Sequence, residues 1–422
     1  MMDGQLAALS LSLGRSRATP ANARSEIRHA LTGTPAESFV DDVLLAASEL
    51  ITNAITYTEG GCDIRASWSN DQPWVRVEVS DIDSSLPTVP EPPSQQSVGG
   101  HGLLIVSSLA RRWGLQRKEH GKTIWFELGT LLFPRLFEVS PSPAATVGSL
   151  QVRRALPRPT RRTVGAWCFA DHLGPKIVGN GREVDIGPHP HCGLQTVTWL
   201  ASGELLHRDS LGSEQLIRAG ELNLMTSGGG VSHSEEGPST LTGAFHGVQM
   251  WVAQPEATRH GDAAFEHHPT LPQVELDNAT ATVLVGDFAD VVAPARRDTE
   301  HVGVELLLRP GTAVAPLRLD YEHALVMLEG DADVDGRSFG AGHLGYLGMG
   351  RDELSLSSVA GARIMLLGGV PFPEEIRMSW NFVGRNEDEL DAAHASWNSD
   401  DGRFGVVDSN VARIPAPERR RR

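Results

Sequence analysis

A chain of 422 residues, 40% hydrophobic and 21% charged, is long enough for two or three globular domains with substantial cores. A formal net charge of -16 argues against nucleic acid or an anionic membrane surface as a direct partner. The three cysteines, Cys62, Cys168 and Cys192, form no C-x-x-C pair, which argues against a disulfide framework; with no signal peptide or membrane span visible, the cytoplasm is the expected location.

Residues 1–20 are small and polar and are expected to be disordered. From Ala21 to Leu128 the pattern is mixed α and β. Val43, Leu44, Ala47, Leu50, Ile51, Ala54 and Ile55 recur at helical spacing. Ile64, Ala66 and Trp68 alternate, as do Val75, Val77 and Val79, in the manner of half-buried strands. Ser84 to Gly100 is a proline-, glycine- and serine-rich loop, too long for a simple turn and of the kind that serves as a lid. Leu103 to Trp113 reads as a second helix and Thr123 to Leu128 as a closing strand, which makes an α+β layer domain.

Several residues of this segment suit a nucleotide. Glu49 and Asn53 are i and i+4 and share a helix face. An amide oxygen there can ligate Mg2+, and a carboxylate one turn away can orient or deprotonate an attacking hydroxyl or water. Asp81 ends the second alternating strand, where a carboxylate can accept from the exocyclic amine of adenine. Gly99-Gly100-His101-Gly102-Leu103 then opens a helix, and glycines there let phosphate approach exposed N–H groups. Singly these features are commonplace, since E-x-x-x-N usually decorates a surface and G-G-x-G often marks a turn. In this order and spacing the segment resembles the GHKL ATPase superfamily, closest to the anti-sigma-factor serine kinase type. The resemblance implies an ATP–Mg2+ site with Asn53 on the metal, Glu49 as base, Asp81 on adenine, and Gly100 and Gly102 in the phosphate lid. Two features depart from the pattern. Asp81-Ile82-Asp83-Ser84-Ser85 lacks a glycine two residues after the aspartate, and the lid carries Pro87, Pro90, Pro92 and Pro93. A nucleotide fold kept as a protein-docking module therefore stays open as the alternative.

Residues 129–151, around Pro141 to Thr146, read as a linker. From Gln151 to about Val370 short strand-like runs alternate with glycine and proline turns, the texture of β-barrels. The region divides near residue 295 into barrels at 152–295 and 296–410, with Glu387 to Trp397 as a closing helix. A basic tail, 411–422, ends in four arginines, Arg419 to Arg422. The expected whole is an α+β sandwich followed by tandem all-β barrels.

His189-Pro190-His191 and His233-Ser234-Glu235 each put two potential ligands at i and i+2, hence on one face of a strand. Two such strands facing each other deliver three imidazoles and a carboxylate to one space, a set that suits a mononuclear transition metal with open positions. Cys192 then points to the opposite face. The second barrel has only the isolated His323 and His343 and is expected to be metal-free. His207, His246 and Glu236 are near the ligands in sequence and are candidates to support them from behind.

Six segments carry a second resemblance: V-G-A-W-C-F-A-D-H-L-G-P (164–175), P-H-P-H-C-G-L-Q-T-V-T-W-L (188–200), H-R-D-S-L-G (207–212), N-L-M-T-S-G-G-G-V-S-H-S-E (223–235), H-G-V-Q-M-W-V (246–252) and W-N-F-V-G-R (380–385). From roughly Val152 to Asn410 the chain resembles the pirin family of bicupins. That implies tandem cupin (double-stranded β-helix) barrels, with a metal in the first held by His189, His191, His233 and Glu235. Cupins commonly draw their carboxylate from the position occupied here by Gln195; in pirins it comes from the Glu235 position. Iron(II) is the expected ion, with another divalent transition metal (nickel, copper or manganese) as a less decisive fit to the ligand set. Pirin-like proteins include quercetin 2,3-dioxygenases and regulators of transcription, so two functions are implied. One is oxygen-using turnover of a flavonol-like enolic substrate, with Glu235 taking its proton. The other is a metal- or redox-responsive regulator whose N-terminal domain acts as a serine kinase or docking module for a sigma factor or its antagonist.

Overall fold

The computed structural model describes residues 6–16, 18–57, 60–70, 72–83, 102–118, 121–129, 136–148 and 150–418. The chain forms two compact units, Met1–Leu132 and Phe133–Arg422. The lid segment 84–100, with Gly99 and Gly100, and also His101 and the four terminal arginines, fall outside the described residues. No helix among the described residues is long and apolar enough to cross a membrane.

In the first unit, three helices, Thr19–Leu31, Val40–Tyr57 and Gly102–Leu109, share a core with a five-stranded antiparallel sheet. Val43, Ala46, Ala47, Leu50, Ile51 and Ala54 recur every three or four residues along the long helix, so all reach one stripe. They meet Ile64, Ala66, Val75, Val77 and Phe126 of the sheet. Burying each large side chain contributes about 1.5–3 kcal/mol.

Two expectations for this unit are corrected. Leu6–Leu13 is not disordered: it is a strand paired antiparallel with Cys62–Ser69, Leu9 opposite Ala66. Ala7, Leu9, Leu11 and Leu13 pack toward the core while Ala8, Ser10 and Ser12 stay exposed, a period of two hidden in a stretch of small residues. The helix expected to run to Trp113 ends at Leu109; Trp113 belongs to the strand Arg112–Lys118, where it pairs with Phe126.

The second unit contains two barrels. The first sets a four-stranded sheet, in the order Ile186–His191, Val231–Glu236, Glu204–Asp209, Glu214–Arg218, against a seven-stranded one that includes Leu194–Ser202, Gly243–Ala253 and Trp167–Val178. The second is a ten-stranded sheet built around His301–Leu308, Ala362–Gly369 and Glu322–Val334. Trp167 and Met250 from the first barrel and Val326 and Leu367 from the second lie in one buried cluster. The Trp167 indole N–H donates to the carbonyls of Val302, at 3.1 Å, and Gly368, at 3.2 Å, so the barrels also share hydrogen bonds.

The domain boundaries differ from those expected. Gln273–Leu276 and Ala279–Val285 join the second barrel through His301–Leu308, so the chain changes barrel well before residue 295. The expected linker is structured. Its Glu138–Pro141 pairs with His343–Gly348 of the second barrel, and Ala144–Val147 pairs with Leu150–Leu156 of the first. The closing helix Glu387–Ser399 is present, capped by Asn386, whose side chain accepts from the Glu389 N–H. Beyond it the chain returns to the first barrel, where the Ile414 N–H donates to Pro188 O at 2.9 Å. Residues 411–416 of the expected tail are therefore docked.

Candidate metal centre

Ile186–His191 is the edge strand of its sheet, which is why Pro188 and Pro190 are tolerated on either side of His189. It pairs antiparallel with Val231–Glu236, His189 opposite His233. The register brings one nitrogen each from His189, His191 and His233 to within 4.8 Å of one another, all buried. His191 Nε2 and His233 Nε2 are 3.1 Å apart. Two nitrogens each about 2.1 Å from one ion, at a right angle to each other, would be separated by about 3.0 Å.

Each imidazole is held from behind through Nδ1. That of His189 is 2.9 Å from Gly187 O and that of His191 is 3.1 Å from Asn381 O. A carbonyl only accepts, so Nδ1 carries the proton in both rings and Nε2 keeps its lone pair for the shared space. His233 Nδ1 is 3.4 Å from His207 Nδ1. Burial is the main reason the rings resist protonation. It lowers the pKa of His189 to about 4, and burial together with neighbouring imidazoles pushes His191 and His233 well below 6.5. Neutral imidazoles with free Nε2 atoms fit a divalent cation with no proton to displace.

Asn381 reaches the site because the chain returns from the second barrel. Val383 N–H donates to Cys192 O, and Gly193, at φ +72°, has no side chain to collide with Val383 O. Cys192 itself packs among Phe382, Leu390 and Trp397, where burial raises its thiol to about 11.

Glu235 follows His233 by two residues and is buried in the same barrel, but the group of three converging donors does not include it. Its Oε1 is 3.2 Å from the hydroxyl of Thr198, which is also 2.7 Å from the Gln249 side chain. Burial raises the Glu235 pKa. The Thr198 hydroxyl thus has one proton for two acceptors, the Glu235 carboxylate and the Gln249 side-chain oxygen.

Gln195 shares a strand face with Val197 and Trp199, opposite to Thr198, and its amide donates to Thr226. Whatever residue stood at 195 would point away from Glu235. Of the three candidate supports, only His207 meets a ligand. His246 faces His172 instead, Nε2 to Nε2 at 2.8 Å, and Glu236 pairs with Arg208 and Ser409. An aromatic wall went unforeseen: Trp251 meets His191 edge-on at 5.1 Å, and Phe169 stacks on Trp251 at 3.9 Å. Its only signal in the sequence is alternation on two strands.

In the first unit, Glu49, Asn53 and Gly102 come together. A Cβ added at Gly102 would lie 3.1 Å from both Asn53 Nδ2 and Glu49 Oε2. Glycine is what lets this helix start against the acidic and amide side chains, an arrangement that fits the Mg2+ and phosphate end of a nucleotide. At the expected base end, Asp81 Oδ1 already accepts from Lys122 Nζ at 2.9 Å and from the Asp83 N–H at 3.0 Å. Lys122, buried and directly across the sheet from Asp81, was not anticipated from the sequence.

Comparison with known proteins agrees with this division. The Pirin family matches residues 149–252, the Pirin C-terminal cupin domain residues 303–405, and the Histidine kinase-like ATPase domain residues 16–128. A Pseudomonas aeruginosa protein provisionally named quercetin 2,3-dioxygenase is 44% identical over 285 residues, 67% of this chain and 90% of that one. A pirin-like protein of Caulobacter vibrioides is 34% identical over 281 residues, covering 64% of this chain and 96% of its own. The crystal structure of a quercetin 2,3-dioxygenase from Acinetobacter baumannii superposes with a TM-score of 0.66 at 40% identity, covering 68% of this chain and 96% of that one.

Proposed function

Because the chain belongs to the pirin family, we propose that it is a metal-dependent dioxygenase of a flavonol-like enolic substrate, preceded by an ATP-binding regulatory domain. One observation carries the reading. Three buried, neutral imidazoles converge in the part of the chain, 68% of it, that aligns at 40% identity with a solved quercetin 2,3-dioxygenase. We assign His189, His191 and His233 as ligands with Glu235 as the fourth, and iron(II) as the ion that this nitrogen and oxygen set suits. When bound, the metal supplies Lewis acidity toward an enolic oxygen and one-electron chemistry with dioxygen. Glu235, made more basic by burial, accepts the substrate's hydroxyl proton, and Thr198 steadies the carboxylate. The Phe169–Trp251 stack offers a flat apolar wall for a planar ring.

In the first unit, Asn53 holds Mg2+, Glu49 is the base, Gly102 with Gly100 receives phosphate, and Asp81 meets adenine through the oxygen that Lys122 leaves free. Buried free cysteines at 62, 168 and 192 support a cytoplasmic location. The test is oxygen uptake by the metal-loaded full chain, matched mole for mole by loss of quercetin. No uptake across several flavonols refutes the reading. The fused kinase-like domain then favours the second one, a metal-responsive regulator that docks on or phosphorylates a sigma factor or its antagonist. Pull-down with and without metal tests it.

A further inference from the structure

We infer that His207, oriented by Asp209, is the positioning residue that sets which nitrogen of His233 carries its proton, and thereby how tightly the centre holds metal. The inference rests on the three-histidine metal site proposed above.

Two of the three ligands lean on backbone carbonyls, which accept and can do nothing else. His233 leans on an imidazole, which accepts or donates according to its own tautomer. The proton on His233 is therefore the one in the cluster that the backbone does not decide. Asp209 decides it. Its Oδ2 is 3.0 Å from His207 Nε2, while its Oδ1 accepts from the N–H groups of Leu211, at 2.9 Å, and Ser213, at 3.0 Å. A carboxylate so held is an acceptor on both oxygens. His207 must donate from Nε2, which leaves its Nδ1 as an acceptor facing His233. His233 then keeps its proton on Nδ1 and presents Nε2 to His191 and the shared space.

The His207 ring has little freedom to choose otherwise. It is buried and stacked on Phe265 at 4.3 Å, with the planes 14° apart. The strand Glu204–Asp209 pairs with Val231–Glu236 so that Asp209 is opposite His233 and His207 opposite Glu235. The H-x-D pair therefore lies directly beside the H-x-E pair. At 3.4 Å the contact between the two rings is at the long end of hydrogen bonding, so it acts by fixing the proton's position more than by binding strength.

Asp209→Asn makes the idea testable without changing shape. The two backbone donors keep the amide oxygen at the Oδ1 position, so the NH2 group faces His207 Nε2. That nitrogen must now accept, its proton moves to Nδ1, and His233 is driven toward the tautomer that blocks Nε2. Removing such support typically weakens metal affinity 10- to 100-fold. Full-length protein would be stripped of metal and titrated with Co2+ against a competing chelator, reading the visible spectrum of the bound ion.

Asp209→Asn should bind Co2+ at least tenfold more weakly, with the melting temperature of the metal-free protein unchanged. A parallel pair guards against misfolding. His207→Phe keeps the stacked ring and loses the acceptor, and should weaken binding similarly. His207→Gln restores an amide oxygen for His233 and a donor for Asp209, and should recover most of the affinity. Wild-type affinity in both Asp209→Asn and His207→Phe overturns the inference, as does equal loss in His207→Phe and His207→Gln. If the wild-type chain binds no Co2+, or His191→Ala binds it as well as wild type, the metal-site assignment fails first and the inference falls with it.

Discussion

Glu235→Gln separates a chemical role for this residue from a structural one. The amide keeps the length and volume of the side chain, and its oxygen can still accept from Thr198, so the contact at 3.2 Å survives. What is lost is charge and basicity. Removing a positioned general base typically slows turnover 10²- to 10⁴-fold, about 2.7–5.5 kcal/mol in the barrier. Stability should move little and in the opposite direction. Burial raises the folded-state pKa of Glu235, so its contribution in the metal-free chain is most favourable when protonated and is lost as pH rises through that value. A permanently neutral glutamine escapes that loss and should match or slightly exceed wild type at pH 7. The second unit spans about 290 residues, for which a change of 1 kcal/mol shifts the melting temperature by only about 2 °C. The assays are oxygen uptake at matched metal content and thermal melting of the metal-free chain. Turnover within threefold of wild type would refute the base assignment. A melting temperature lower by more than about 5 °C would show that the charge holds the barrel together.

His191→Ala should abolish stoichiometric metal while His343→Ala leaves it intact, read by elemental analysis of the purified full chain. Acidification should destabilise the metal-free protein. His189, His301 and His323 have folded pKa values lowered to about 4, mainly by burial, against an ordinary 6.5. Their contribution is present above 6.5 and is lost as pH falls through about 4, so melting temperature should drop across that window and hold steady from pH 7 to 8. Asn53→Ala should weaken ATP–Mg2+ binding at least tenfold by calorimetry. Gly102→Val should do the same, because even a Cβ meets the Asn53 amide and the Glu49 carboxylate at 3.1 Å. Unchanged affinity in both would make the first unit a docking module.

The ligand strands were legible because two-residue spacing on a strand carries its own geometry: His189, His191 and His233 needed only to be on facing strands to meet. Glu49 and Asn53 were legible for the same reason, at helical spacing. Other parts left no such mark. The Asn381 group that steadies His191 is a backbone carbonyl 190 positions away, and a carbonyl has no residue identity to read. Lys122 is paired with Asp81 by the register of two adjacent strands, 41 positions apart in sequence, which no local pattern reveals. The barrel boundary leaves no mark in the sequence because both barrels are made of the same alternating strands. Nothing local tells Ala279–Val285 that its hydrogen-bonding partner is His301–Leu308. The leading strand, Leu6–Leu13, is hard to see because its alternation runs through small residues whose composition is also that of a disordered terminus.

The return of residues 380–416 to the first barrel has a consequence for how the protein is made. His191 is anchored by Asn381, Pro188 by Ile414, and Ser232 by Phe404, so the walls of the metal pocket are finished by a stretch that is synthesised after the strands of both barrels. The two barrels are consecutive in sequence, yet the earlier one cannot be completed before the later one has been synthesised. The frame around the site is therefore complete only once residues 380–416 have emerged and folded back. A nonsense mutation between Glu236 and Trp380 would yield a protein that keeps all four assigned ligands and lacks the frame that aims them.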